Sequence, residues 1–231
     1  KYTDAKMWDE ASRRVDDLNN SVAFDILQWL KLRAGSEEFS EYESFLLVNK
    51  DWPGISLLRS QGEKAIDSSI EPNRILKYFE HDEPLTANGS LKLAEIFLSK
   101  QEIEKAQEVM KQSWLDHPYS PNELKRAFKL WDTFLKENNK IRIDNLLWSG
   151  RVKEAEQMLP FLSNDVKELS KARIALKKES VGVDLLVRNV PSHLKADPGL
   201  LFDRFSYRKN KKLHRGAEEI LLRTSRSAKA L

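Results

Sequence analysis

The chain has 231 residues, 40% hydrophobic and 32% charged, with a formal net charge of +3; that is enough apolar material for a continuous core beneath a charged helical surface. The absence of cysteine excludes disulfides, thiolate metal sites and a cysteine nucleophile, and the small total charge gives no general nucleic-acid footprint. No apolar run approaches the roughly 20 residues that span a bilayer, and the start Lys1-Tyr2-Thr3-Asp4 has no hydrophobic signal core, so the chain reads as cytosolic or as a mature form stripped of its signal.

Taken in order, nearly every segment reads as helix. Val22, Ala23, Ile26, Leu27 and Leu30 make one apolar stripe; Gly35-Ser36 ends that helix, and Ser36 followed by Glu37-Glu38-Phe39 opens the next. Leu91, Ala94, Phe97 and Leu98 form a stripe that hands over at Lys100-Gln101 to Ile103, Ala106, Val109 and Met110. Ser120-Pro121, a cap residue and a first-turn proline, starts the set Leu124, Ala127, Phe128, Trp131, Phe134 and Leu135. Leu146-Leu147-Trp148 then runs into Gly150, placed for a left-handed cap, and Val152, Ala155, Leu159 and Leu162 form the face of the following helix. Strand-like alternation is missing, which predicts about fourteen helices of roughly 8 to 17 residues joined by short turns.

A degenerate repeat underlies this run. Ala11 and Ala23 are twelve apart, as are Ala94 and Ala106, and each second alanine is followed four positions on by Leu27 or Met110. Tetratricopeptide repeats place small residues twelve apart where two helices cross closely. The expected fold class is therefore all-α, a superhelical array of short antiparallel helix hairpins (a tetratricopeptide-like α-solenoid), with residues 1–231 as one domain.

Chemistry-bearing constellations are scarce. The histidines at 81, 117, 193 and 214 stand singly, without zinc-ligand spacing. Asp16-Asp17, Glu37-Glu38 and Glu218-Glu219 are neighbours that diverge by about 100° on a helix, whereas a glycosidic pair faces across about 5 to 10 Å. No Gly-x-Gly loop or nucleophile elbow occurs. Catalytic, cofactor-binding and metal-binding residues are all expected to be absent.

Charge is uneven, with ten acids and six bases in residues 1–43 but nine bases against two acids in residues 204–231. Arg204, Arg208, Lys211, Lys212 and Arg215 lie on or beside one hairpin and form the candidate contact for an anionic partner or a glycan; the solvated face of a terminal hairpin would look the same. Among the six tryptophans, Trp29, Trp131 and Trp148 fall on apolar stripes and read as core. Trp52, before Pro53, reads as the plug of a corner, which leaves Trp8 and Trp114 for surface contacts.

Four phrases carry a family resemblance. Asn49-Lys50-Asp51-Trp52-Pro53-Gly54 with Leu57-Leu58-Arg59, then Tyr78-Phe79-Glu80-His81-Asp82-Glu83-Pro84-Leu85-Thr86, then Arg142-Ile143-Asp144-Asn145-Leu146-Leu147-Trp148-Ser149-Gly150-Arg151, and last Val190-Pro191 with Asp197-Pro198-Gly199-Leu200-Leu201-Phe202-Asp203-Arg204, resemble in order and spacing the helical N-terminal part of the soluble lytic murein transglycosylases. The likeness runs from about residue 22 to residue 225. It implies a periplasmic enzyme that cleaves peptidoglycan between N-acetylmuramic acid and N-acetylglucosamine to a 1,6-anhydro product. It also implies a curved helical scaffold that guides the glycan strand and positions a separate, C-terminal lysozyme-like domain.

That catalytic domain is not in this chain. The family's Glu-Ser-x-Phe and Gly-Leu-Met-Gln phrases are missing; Glu43-Ser44 is followed by Phe45-Leu46, and Glu43 reads as a surface residue. The expected partners are the peptidoglycan strand and the enzyme's own catalytic domain, with no nucleic acid, no transmembrane segment and no cofactor. The alternatives are a tetratricopeptide-like adaptor that holds a peptide in its groove and a nucleic-acid binder using the basic end, where aromatic residues are sparse.

Overall fold

The computed structural model describes residues 7–18, 20–35 and 37–224. They are 76% helical, as expected of an all-α chain, with no strand among them. Two compact units are present, Lys1–Pro118 and Tyr119–Leu231.

The first unit contains α1 (Trp8–Leu18), α2 (Ser21–Ala34), α3 (Phe39–Val48), α4 (Ile55–Lys64), α5 (Pro72–Tyr78), α6 (Ala87–Ser99) and α7 (Ile103–Asp116). Each helix packs on its sequence neighbour or the next but one: α1 on α2, α3 on α4, α6 on α7, and α4 on both α2 and α6. Ala94 and Ala106 are both fully buried, so the twelve-residue spacing marks the close α6–α7 pair, with Met110 buried beside them. The α2 stripe is only half right: Leu27 is buried, but Val22 and Ile26 are exposed. Exposed Phe24 adds to that uncovered face. Gly35 closes α2 with φ +79°, as its sequence predicts, while α3 starts from an extended Glu38; Ser36 lies outside the described residues.

The second unit contains α8 (Pro121–Trp148), α9 (Val152–Met158), α10 (Asn164–Lys177), α11 (Val183–Asn189), α12 (Pro198–Asn210) and α13 (His214–Thr224), with two short 3₁₀ turns. Ser120 and Glu123 form a reciprocal capping box ahead of Pro121. The stripe that reads as ending at Leu135 instead continues to Trp148 as one 28-residue element, interrupted at Trp131, whose φ −125° and ψ 15° are not helical. The hub is α10, which packs against α8, α9, α11 and α12; Leu169, Ala172, Ala175 and Leu176 supply its core face against Val183, Val190 and Leu200.

One turn recurs. At the end of α8 the Gly150 N–H reaches Leu147 O at 3.3 Å and the Arg151 N–H reaches Leu146 O at 2.8 Å, around a Gly150 φ of +70°. The same paired bonds follow α6, α10 and α12, but Gln101, Glu179 and Lys212 take the left-handed position there, at φ 62°, 50° and 59°. Nothing lies within 4 Å of a Cβ built on Gly150, so Gly150→Ala meets only the conformational cost of that φ. Urea melts should show a loss of about 1 kcal/mol; a loss of about 3 kcal/mol would mean a packing role for this turn that the open space denies.

Candidate functional site

The most organised polar centre of the second unit is built on α10. Arg173 interrupts an apolar stretch, and its side chain is 2% exposed. Its Nε donates to Asp203 Oδ2 of α12 at 2.9 Å, and Nη1 pairs with Asp144 of α8. Lys177, one turn on, sits 2.7 Å from Asp203 Oδ1. Asp203 is thus held by two cations, and Arg173 by two carboxylates; this mutual pairing is what makes the burial of both tolerable.

Gly199 makes the approach of α12 possible, since a Cβ there would overlap the Arg173 guanidinium. Asp197 caps α12 by accepting the Leu200 N–H at 2.9 Å. Beside the charged centre, the Arg173 guanidinium carbon lies 5.4 Å from the Trp148 ring centroid, and the Phe202 ring lies 5.2 Å from Trp148, inclined at 43°. Trp148 is 47% exposed and Phe202 49%. The expectation of Trp148 as core is therefore corrected: at the last turn of α8 the indole is half exposed, one residue past the buried Leu146 and Leu147. A cavity of about 300 Å³ adjoins this centre, lined by Lys140, Ile141, Asp144, Ser170, Arg173 and Asp197 among others.

The other tryptophans sort differently. Trp114, expected at the surface, is fully buried, because α7 turns that face inward with Met110 and Ser113. Trp131 is buried as expected. Trp29 and Trp52 are half-buried, 6.1 Å apart, and the Trp29 indole N–H donates to Pro53 O at 2.9 Å, so Trp52 does sit in a packed corner. Trp8 is half-buried on α1.

In the first unit, Glu63 is the buried carboxylate. It accepts the Leu85 N–H at 2.9 Å and the Thr86 hydroxyl at 2.7 Å, just where Thr86 caps α6. Gly89 leaves room for it: a Cβ there would fall 2.5 Å from Glu63 Oε2. Burial pushes its carboxyl above the ordinary glutamate value, against the opposing pull of the Leu85 N–H, Thr86 and the Arg59 charge. Glu63 therefore ties α4 to the entry of α6. Glu43, half-buried rather than freely exposed, pairs with Arg74 and holds α3 to α5.

The basic cluster is divided by the fold. Arg208 turns inward, donating to Gly216 O at 2.7 Å between α12 and α13, and Lys211 pairs with Glu179 at 2.7 Å, an exposed contact that lowers the Glu179 carboxyl and raises the Lys211 ammonium. Arg204 is half-buried on α12. Lys212 and Arg215 are exposed, Lys212 at the left-handed turn and Arg215 on the first turn of α13. Five residues close in sequence thus divide between structural contacts and open surface. No group of three histidine, aspartate or glutamate side chains among the described residues could hold a metal ion, and no described helix is long and apolar enough to cross a membrane.

Neither a family model, nor a curated protein, nor a solved structure matches the chain. The geometry therefore stands on its own residues. Sequence periodicity missed Arg173, Asp144, Asp203 and Phe202 as a group, since they come from three helices. The available signal was the run Lys140, Asp144, Trp148 at i, i+4 and i+8, a cation, a carboxylate and an indole along one side of α8.

Proposed function

We propose that this chain is the helical, non-catalytic scaffold of a periplasmic lytic transglycosylase, which guides a peptidoglycan strand and positions the enzyme's own C-terminal catalytic domain. The observation that carries the reading is that the four phrases resembling that family meet in pairs. Arg59 of the first phrase bonds Asp82 at 3.0 Å and Glu83 O at 3.1 Å, and its carbonyl accepts the Tyr78 hydroxyl at 3.0 Å, all in the second. Asp144 and Trp148 of the third meet Gly199, Phe202 and Asp203 of the fourth around Arg173. Residues that hold one another explain why the phrases occur together.

The mechanism is geometric. A fixed helical surface limits the orientations of a bound polymer, so that part of the entropy of presenting a bond for cleavage is lost on binding, before the chemical step. Lys212 and Arg215, exposed at the α12–α13 turn, would draw the carboxylates of peptidoglycan stem peptides. Chromatography of peptidoglycan incubated with the purified chain tests the non-catalytic part of the proposal. No 1,6-anhydro product is expected, and Glu43→Gln changes nothing in the chromatogram. Anhydro products that vanish with Glu43→Gln would contradict it.

A tetratricopeptide-like adaptor is the second reading, favoured by the buried Ala94–Ala106 pair between α6 and α7. Tight capture of a peptide with no affinity for peptidoglycan would favour it.

A further inference from the structure

Four observations converge on the end of α8. First, Trp148 and Phe202 are each about half exposed, at 47% and 49%, with rings 5.2 Å apart, so two aromatic surfaces stay wet side by side although the chain has apolar material to cover them. Second, Asp144 lies one turn before Trp148 on the same side of α8, 47% exposed, with Oδ1 committed to Arg173 and Oδ2 bonded to nothing among the described residues. Third, Arg173, 2% exposed and lining the cavity, has an Nη2 with no hydrogen-bond acceptor. That nitrogen is itself out of reach of solvent, so Arg173 serves this place from behind, fixing Asp144 through Nη1 rather than touching a ligand. Fourth, the cavity is about 300 Å³, with Ile141, Ile143, Leu147, Val166 and Leu169 as its apolar wall. That is the lower end of ligand-pocket sizes, and since Trp148 and Phe202 are not among its lining residues it is a recess for a substituent beside them rather than for the ring they would carry.

The charge at this place decides the class of ligand. Lys140 and Arg173 line the cavity with Asp144 and Asp197, and Lys177 pairs with Asp203 behind them, so the formal charges at this place balance and favour neither a cation nor an anion. Aromatic faces beside a carboxylate acceptor suit a neutral ring with apolar C–H faces and a polar hydroxyl edge. An N-acyl methyl would cover the apolar wall. We propose that Trp148, Phe202 and Asp144 form a carbohydrate subsite for one neutral, N-acylated pyranose of a glycan. Trp148 and Phe202 carry the ring, Asp144 accepts from its hydroxyls, and Arg173 holds Asp144 in place. This inference rests on the peptidoglycan reading for the polymer, and adds where on the chain a sugar is held.

The test is calorimetric titration of the whole chain with chitotetraose, a neutral β-1,4 tetramer of N-acetylglucosamine, run beside sedimentation with purified peptidoglycan sacculi. Saturable binding is expected near about 1 mM or tighter. Trp148→Ala and Phe202→Ala should each weaken it about tenfold or more, and Asp144→Asn several-fold. Trp148→Phe, which keeps an aromatic face, should retain most of the affinity. Both rings are half exposed, so unchanged circular dichroism and melting in these variants separate lost binding from lost folding. Chitotetraose binding that ignores Trp148→Ala and Phe202→Ala overturns the subsite, as does retention on sacculi with no chitotetraose binding; either leaves the peptidoglycan reading intact. If the native chain binds neither probe, the peptidoglycan reading falls and takes the subsite with it.

Discussion

Asp203→Ala is expected to cost about 3 to 5 kcal/mol, the largest loss from any single polar substitution in the second unit. Asp203 is buried between Arg173 Nε at 2.9 Å and Lys177 Nζ at 2.7 Å. Its removal leaves the buried guanidinium with Asp144 alone, and Asp144 is half in water. The loss arises from an uncompensated cation more than from the missing attraction, because burying the pair costs desolvation that its own attraction roughly offsets. The double variant Arg173→Met, Asp203→Leu should therefore recover much of the loss, although it deletes more contacts. Urea melts followed by circular dichroism measure both; a single variant that loses under about 1 kcal/mol, or a double variant worse than the single, would contradict the pairing account.

Glu63 is expected to give the strongest pH effect in the first unit. Glu63→Ala leaves the Leu85 N–H and the Thr86 hydroxyl without their acceptor and should lose about 2 to 4 kcal/mol. Glu63→Gln keeps volume and an acceptor oxygen and should lose less. The pH dependence follows from the raised carboxyl. The folded chain holds this proton more tightly than the unfolded chain, whose glutamate titrates near about 4.3. The stabilising contribution is thus complete below that value and is lost as pH rises through the raised native one. Glu63→Gln has no such titration, so its stability should improve relative to the native chain as pH climbs from about 4 towards neutrality. A difference that is flat across that range, or one that moves the other way, would show that the hydrogen bonds from Leu85 and Thr86 outweigh burial.

How much of this was legible in the sequence follows from the range of each interaction. Caps are local. Gly35, Ser120-Pro121 and Gly150 announce their turns because φ > 0, a side-chain acceptor and a missing N–H are properties of single residues. Gln101, Glu179 and Lys212 adopt the same left-handed turn without a glycine, and only the Lys100-Gln101 handover of stripes marks one of them. The close α6–α7 pair was legible from Ala94 and Ala106, whose small side chains permit the approach.

The site was legible only in part. Asp144, Arg173 and Asp203 are about 30 residues apart from one to the next, and helical periodicity says which face a residue takes, not which helix will meet it. Trp148 shows the same limit. Its place on an apolar stripe is real, but the stripe is covered at Leu146 and Leu147 and open one residue later, where α8 ends. Trp114 errs in the opposite direction, since its face of α7 is closed by packing that α7's own sequence does not encode. The basic run 204–215 reads as one patch because charge adds along a sequence, whereas the fold spends Arg208 on a carbonyl and Lys211 on Glu179.

Sedimentation of the whole purified chain with peptidoglycan sacculi tests the central claim most directly. The scaffold account predicts that the chain pellets with the sacculi at low salt and is released progressively as salt screens Lys212 and Arg215, whose reach falls to about 3 Å at 1 M. A chain that stays in the supernatant with sacculi at low salt would contradict it.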